Sequence, residues 1–215
     1  MEQAQKIMPG LRERNKAEKL QRIRRAAREL FIENGYDDTT TRAIAKRADV
    51  GLGTLFSYAS DKRDLLFLIF NSEIEQVLEE GIRLAQRETI LLEQLCAFFS
   101  SYYAFFQQQP ALSRLMLREL MFYVSGKEAQ RFLEGRDKLL QFLLALATKA
   151  QEENRIQSRE DPKIIAQAFF STYASELRRW IGNDEPDLTT GMKELRRMLR
   201  LQISGLNPGA GVLDD

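Results

Sequence analysis

The 215-residue chain has no histidine, one cysteine, five prolines and one tryptophan. Without histidine there is no Ser-His-Asp or Cys-His catalytic apparatus, no imidazole metal ligand and no His-ligated haem. The single cysteine, Cys96, closes neither an intrachain disulfide nor a thiolate zinc cluster, so nothing in the chain calls for an oxidising compartment. The longest uninterrupted aliphatic and aromatic run, Leu65 to Phe70, falls far short of the ~20 residues of a membrane-spanning helix. The N-terminus carries Lys6, Arg12, Arg14 and Lys16 with no apolar core after them, unlike a signal peptide. Gly51-x-Gly53 opens a helix with no strand before it and is therefore not a nucleotide fingerprint. These absences lead us to expect a cytoplasmic protein that is not an enzyme, uses no cofactor or metal, and makes no membrane contact.

What remains is helix-forming and globular, 44% hydrophobic and 29% charged, and its length suits one small and one medium lobe. The net charge of +1 conceals an asymmetry: residues 1–63 contain 14 Lys and Arg against 9 Asp and Glu, whereas the remainder carries an acidic excess of four. The bias peaks between Arg12 and Arg28, which is either a solvated helix face or a surface for phosphates.

From Arg12 to Glu33, Leu20, Ile23, Ala27, Leu30 and Phe31 recur at three- and four-residue steps, the period of an amphipathic helix. Asn34-Gly35 stops it. Thr40 caps a short helix that ends near Ala48, Asp49-Val50 makes a tight turn, and a second short helix runs from Gly51 to about Tyr58 before Ser60-Asp61 opens a third at Lys62. Small Ala45 and Ala48 allow close approach, and Ile44, Val50 and Leu55 form an apolar wedge. This is a helix-turn-helix, whose second helix enters the major groove of DNA. Its exposed face would carry Leu52, Gly53, Thr54, Ser57 and Tyr58. Gly53 lowers helix stability relative to alanine, and close approach to a DNA backbone or base edge is one reason for it.

The ordered set Ile23, Ala26-Ala27, Leu30-Phe31, Gly35-Tyr36, Thr39-Thr40, Ile44-Ala45, Ala48, Val50, Gly53-Thr54-Leu55-Phe56, Tyr58, Lys62 and Leu65 closely resembles the DNA-binding domain of the TetR family of bacterial transcription regulators. The resemblance runs from about residue 16 to 66. The chain departs from the family pattern at Asp49, where glycine is common, at Gly51 for serine or threonine, and at Ala43 for an acidic residue. Phe56 stands for tyrosine and Ala59 for phenylalanine. The resemblance implies that Thr41, Arg42 and Lys46 face DNA from the first helix of the motif and Gly53, Thr54 and Ser57 from the second, with Tyr58 and Lys62 on phosphates. Arg42 is the candidate for direct readout, since a guanidinium pairs bidentately with guanine. Near a helix N-terminus the Lys62 charge is disfavoured by the dipole, and an anion would relieve it.

Beyond Leu65 the pattern stays helical: residues 61–86, Ile90 to Gln108, Pro110 to Tyr123, Lys127 to Glu153, Asp161-Pro162 to Gly182, and Leu188 to Leu206. The expected architecture is all-α, with a helix-turn-helix DNA-binding domain and basic extension at 1–63, a ligand-binding and dimerisation domain at 64–206, and a frayed tail at 207–215. Aromatic residues, Phe122 and Tyr123 among them, crowd the second lobe, and most are expected in its core. By resemblance some line a cavity for an apolar or aromatic ligand. The candidates are Phe98, Tyr102, Phe106, Met116, Phe142, Phe169 and Tyr173, with Arg118 or Arg114 able to meet a carboxylate unless solvated or paired with Glu119. The last two helices are apolar over more than one face. The resemblance turns this into a homodimer interface formed by Phe170, Ala174, Leu177, Met192, Leu195, Met198 and Leu199. Two recognition helices then lie ~34 Å apart over a palindromic double-stranded operator. The expected function is a ligand-released repressor; the alternative is a DNA-binding dimer whose second lobe serves only dimerisation or protein interaction.

Overall fold

The structure, a computed structural model, describes residues 10–205. Lys6 of the basic extension and the tail expected at 207–215 lie outside them. Among the described residues all regular structure is helical: α1 (Leu11–Glu33), α2 (Thr41–Arg47), α3 (Leu52–Tyr58), α4 (Lys62–Ala85), α5 (Leu91–Gln107), α6 (Pro110–Glu119), α7 (Ala129–Glu152), α8 (Pro162–Ile181) and α9 (Leu188–Ser204). None of these helices is long and apolar enough to cross a membrane. The chain divides into two compact units. One runs through Asn71 and includes Phe122–Gln130; the other comprises Ser72–Met121 and the chain from Arg131 onward. The division differs from a cut at residue 63, because the first turns of α4 and the 122–130 segment both pack with α1–α3.

In the first unit the apolar stripe of α1, Ile23, Ala26, Ala27, Leu30 and Phe31, is buried together with Ile44, Ala45 and Leu55 of the two short helices and Leu65, Leu66 and Phe67 of α4. α1 closes on Gly35, whose φ of 78° is the left-handed conformation that glycine takes without steric cost. The buried Thr39 hydroxyl donates to both Leu30 O (2.9 Å) and Gly35 O (2.6 Å), locking this turn. α1 is also tied to α4 where Arg24 Nε donates to Leu68 O at 2.9 Å.

The second unit is organised by α5, which packs against α6, α8 and α9. Its aromatic residues meet those of neighbouring helices: Phe99 stacks on Tyr173 at 4.3 Å between ring centroids, and Phe98 against Phe142 and Tyr103 against Trp180 lie tilted at 4.6 Å. α8 starts as its sequence dictates, with Asp161 accepting from Lys163 N and proline in the first turn. Gly191 lets α9 lie against the Trp180 indole, since a Cβ there would sit 2.6 Å from the ring. Arg196 of α9 forms a two-pronged ion pair with Glu93 of α5, and that guanidinium holds the Glu93 carboxyl below its ordinary value despite the opposing effect of burial.

The clearest departure from the sequence reading is at α6, which stops at Glu119 rather than continuing to Tyr123. Phe122 takes a φ of 61° and is 85% exposed, so it is not a core residue. Tyr123 swings into the first unit, where it stacks on Phe67 at 3.7 Å and donates its hydroxyl to Asp64. A buried ring stack and a charge-assisted hydrogen bond outweigh the propensity to continue the helix.

Candidate nucleic-acid interface

α2 and α3 form the helix-turn-helix. The Thr40 hydroxyl caps α2 by accepting from Ala43 N at 3.1 Å. The turn pivots on Asp49, whose φ of 51° replaces the usual glycine; a short polar side chain tolerates this conformation. Arg22 of α1 holds the Asp49 carboxylate at 3.0 Å, so the departure from glycine brings its own tether. Gly51 caps α3 with no side-chain hydrogen bond.

The two short helices present an uneven set of side chains. Arg42 and Lys46 are exposed and one turn apart on α2, and Gly53 and Ser57 are exposed on α3, with Thr41, Thr54 and Tyr58 half-buried beside them. A Cβ added to Gly53 would meet nothing within 4 Å, so the protein's own packing does not require glycine there. Ser57 donates to Thr54 O at 2.7 Å. Arg47, although on the same helix as Arg42, is committed to Glu33 and Glu29 of α1 at 2.9 and 3.3 Å. Those contacts raise the Arg47 pKa and lower that of Glu33.

Two residues expected on phosphates have partners inside the protein. Tyr58 donates its hydroxyl to Lys16 O at 3.1 Å, joining the recognition helix to α1. Lys62 donates to Tyr36 O at 2.6 Å and Asp37 O at 3.1 Å, and its ammonium lies 4.4 Å from the centroid of the Tyr36 ring. The carbonyls and the ring face relieve its unfavourable place at a helix N-terminus, which a phosphate was expected to do. Sequence reasoning missed this because the partners are backbone carbonyls about 25 residues upstream, and carbonyls leave no mark in residue identity.

Sequence reasoning also missed Asp64, which is fully buried. Its Oδ2 accepts from Ser60 N at 2.7 Å and Lys127 N at 2.9 Å, and its Oδ1 accepts from Glu128 N at 2.9 Å and from the Tyr123 hydroxyl. Burial acts to raise its pKa, and the four donated hydrogen bonds together hold it below the ordinary carboxylate value.

In the second unit, the residues expected to line a ligand cavity form a tightly packed aromatic layer. Phe98, Tyr102, Phe106, Met116, Phe169 and Tyr173 are all buried, Phe142 is half-buried against Phe98, and Arg118 is exposed and paired with Glu119 at 3.0 Å. Within the layer the Tyr103 hydroxyl is buried without a hydrogen-bond partner among the described residues. The second unit also has clefts. One of about 510 Å³ lies between α4 and α5, lined by Val77, Leu84, Ala104 and Phe105 with Glu73 and Glu80 among its polar residues. Another of about 630 Å³ is enclosed by the α7–α8 loop, α8 and the end of α9, and includes Phe169. Of the expected dimer residues, Leu177, Leu195 and Leu199 are buried within the chain itself and serve its own core. Phe170, Ala174 and Met192 are half-buried, and Met198 is exposed.

The sequence profile of the family described as bacterial regulatory proteins, tetR family, matches residues 23–69, the span from mid-α1 into α4. Over 201 residues, 90% of this chain and 98% of the relative, the sequence is 25% identical to the fatty acid metabolism regulator protein of Bacillus subtilis. It is 29% identical over 164 residues, 76% of this chain and 73% of the relative, to the transcriptional repressor KstR of Rhodococcus jostii. The crystal structure of the TetR-family transcriptional repressor FadR from Thermus thermophilus, in complex with lauroyl-CoA, superposes with a TM-score of 0.66 at 25% identity, covering 91% of this chain and all of that one. With a helix-turn-helix that leaves Arg42, Lys46 and the face of α3 open, and relatives matched over most of the chain, the protein carries a tetR-family DNA-binding domain over residues 23–69 and is a DNA-binding transcriptional regulator.

Proposed function

We propose that the protein is a homodimeric cytoplasmic repressor that holds a palindromic operator and releases it when a fatty acyl-CoA thioester enters the second unit. One observation carries this reading: the likeness to the fatty acid metabolism regulator extends over 90% of the chain, well beyond the helix-turn-helix, and the Thermus neighbour was solved with lauroyl-CoA. The chemistry of the second unit suits an acyl chain. Phe98, Tyr102, Phe106, Met116, Phe142, Phe169 and Tyr173 offer apolar walls, and each methylene transferred among them is worth ~0.8 kcal/mol. The unpartnered Tyr103 hydroxyl gives the layer a polar group with a hydrogen bond to gain on opening. Arg118, exposed near the end of α6, is the candidate cation for an anionic group, which would take the place of Glu119 as its partner.

On DNA, Arg42 reads base edges, with Thr41, Lys46, Gly53, Thr54 and Ser57 around it, while Tyr58 and Lys62 chiefly position the motif. Phe170, Ala174, Met192 and Met198, joined by Leu201 at 49% exposure, form the face for a second copy. The release follows from differential affinity. An acyl chain that parts the closed aromatic layer binds the open arrangement better, and it lowers operator affinity by that difference. Adding lauroyl-CoA to the protein bound to a fluorescent duplex from upstream of its own gene should release the DNA, while laurate or coenzyme A alone should not. Retention of the duplex at saturating lauroyl-CoA would refute the effector and favour a dimer without small-molecule control.

A further inference from the structure

The segment between α6 and α7 belongs, by its packing, to the DNA-binding unit rather than to the unit that its flanking helices enter. It is fastened at several points. Asp64 accepts the Tyr123 hydroxyl and the backbone N–H groups of Lys127 and Glu128, and the Asn71 amide donates to Glu128 O at 3.0 Å and to its carboxylate at 2.8 Å. Tyr123 stacks on Phe67 and lies under the Arg63 guanidinium, 5.2 Å from its ring centroid. The fit leaves no slack at Gly126, where φ is +131° and a Cβ would sit 2.7 Å from Asp64 Oδ1.

The far end of this segment reaches the recognition helix. Lys127 donates its ammonium to Phe56 O, one of the last carbonyls of α3, which no further helical turn supplies with donors. A cation at a helix C-terminus also complements the dipole. The same Asp64 carboxylate receives Ser60 N, just past the end of α3. One carboxylate and one ammonium therefore join the exit of the recognition helix to the 122–130 segment.

We propose that residues 122–130 are a strap that sets the recognition helix, with Asp64 as its buckle and Lys127 as the positioning residue that grips α3. Resting on the reading of the protein as an effector-released repressor, the strap is also the route of release. It is covalently continuous with α6 at one end and α7 at the other, so a shift of those helices draws on the atoms that hold α3. Phe122, held at φ 61° with its ring in solvent, is the strained residue through which the strap leaves α6. A bulky side chain at positive φ is unfavourable, so the strap stays seated only while its hydrogen bonds do.

The test uses the full chain, a duplex selected by the parent protein from a random-sequence pool, and a scrambled duplex. Lys127→Met should weaken binding to the selected duplex by roughly 5- to 20-fold, within the range of ordinary coupling. The slope of affinity against salt should stay unchanged, because Lys127 touches a carbonyl and not a phosphate. Amide exchange in α3 and at Ser60 should accelerate, and Lys127→Arg should recover most of the affinity. Gly126→Ala, which blocks the strap without removing a charge, should reproduce Lys127→Met, and this keeps the test independent of whether Asp64→Asn folds. Parent-like affinity and parent-like α3 exchange in both Lys127→Met and Gly126→Ala overturn the proposal, as does a lowered salt slope in Lys127→Met. Lauroyl-CoA provides a separate arm. If it releases the parent, the fold-release should shrink in Lys127→Met, and an unchanged ratio would remove the strap from the route of release. If the parent ignores lauroyl-CoA, the effector reading fails, and affinity and exchange still decide whether the strap sets the helix.

Discussion

The two units of this chain are held together by different forces. In the first, directional polar contacts fix the geometry: Thr39 on two carbonyls, Lys62 on two more, Arg22 on Asp49, Arg47 on Glu29 and Glu33, and Asp64 on four donors. In the second, the centre is a cluster of rings from α5, α7 and α8 in which the Tyr103 hydroxyl has no partner among the described residues. Hydrogen bonds specify distance and angle, whereas apolar packing tolerates rearrangement as long as volume is conserved. A surface that must match the spacing of base edges needs the first kind of holding. Under the proposed function, a packed layer that parts for an apolar guest needs the second.

Substitutions can break or sharpen that contrast. The largest effect is expected from Phe98→Ala in the ring layer, where Phe98 is fully buried. Loss of the ring should cost about 3–5 kcal/mol, read by denaturant unfolding, while the remaining folded protein keeps its preference for the selected duplex. Arg42→Ala should do the reverse. Unfolding stays as in the parent, and discrimination between the selected and singly mismatched duplexes falls by ~1–3 kcal/mol. Lys62→Ala separates holding from DNA contact. With two carbonyls losing a charged donor, stability should fall by about 1.5–3 kcal/mol, with little change in the salt dependence of binding; a flattened salt slope without loss of stability would return Lys62 to the phosphates. The smallest effect carries the sharpest sign. Gly53→Ala has open space around it and should stabilise the protein by up to ~1 kcal/mol, yet weaken operator binding under the proposed close approach of DNA to Gly53. Stronger binding from Gly53→Ala would show that the close approach lies elsewhere.

Much of this was legible from residue order. The Asn34-Gly35 stop, the Thr40 cap, the Asp49 turn and the Asp161-Pro162 start are local signals, and each stands where the sequence puts it. Exposure of Arg42, Lys46 and Gly53 follows from helical period. What escaped depends on long-range partners. The end of α6 is set by Tyr123 reaching Asp64, 59 residues away, and nothing within the run from Pro110 to Tyr123 signals it. Leu177, Leu195 and Leu199 read as interface residues because α8 and α9 are apolar over a wide arc, but periodicity does not say which part of the arc the chain itself covers. The same holds for the ring layer, where helical spacing alone does not separate a wall from a filled core.

The central claim, that this is a sequence-specific DNA-binding regulator, is tested most directly by equilibrium binding of the full chain to the duplex it selects from a random pool and to a scrambled duplex, across a salt series. The account predicts tight binding to the selected duplex and binding weaker by a factor of 10³ or more to the scrambled one, with affinity falling steeply as salt rises. Equal affinity for the two duplexes across the series would contradict it.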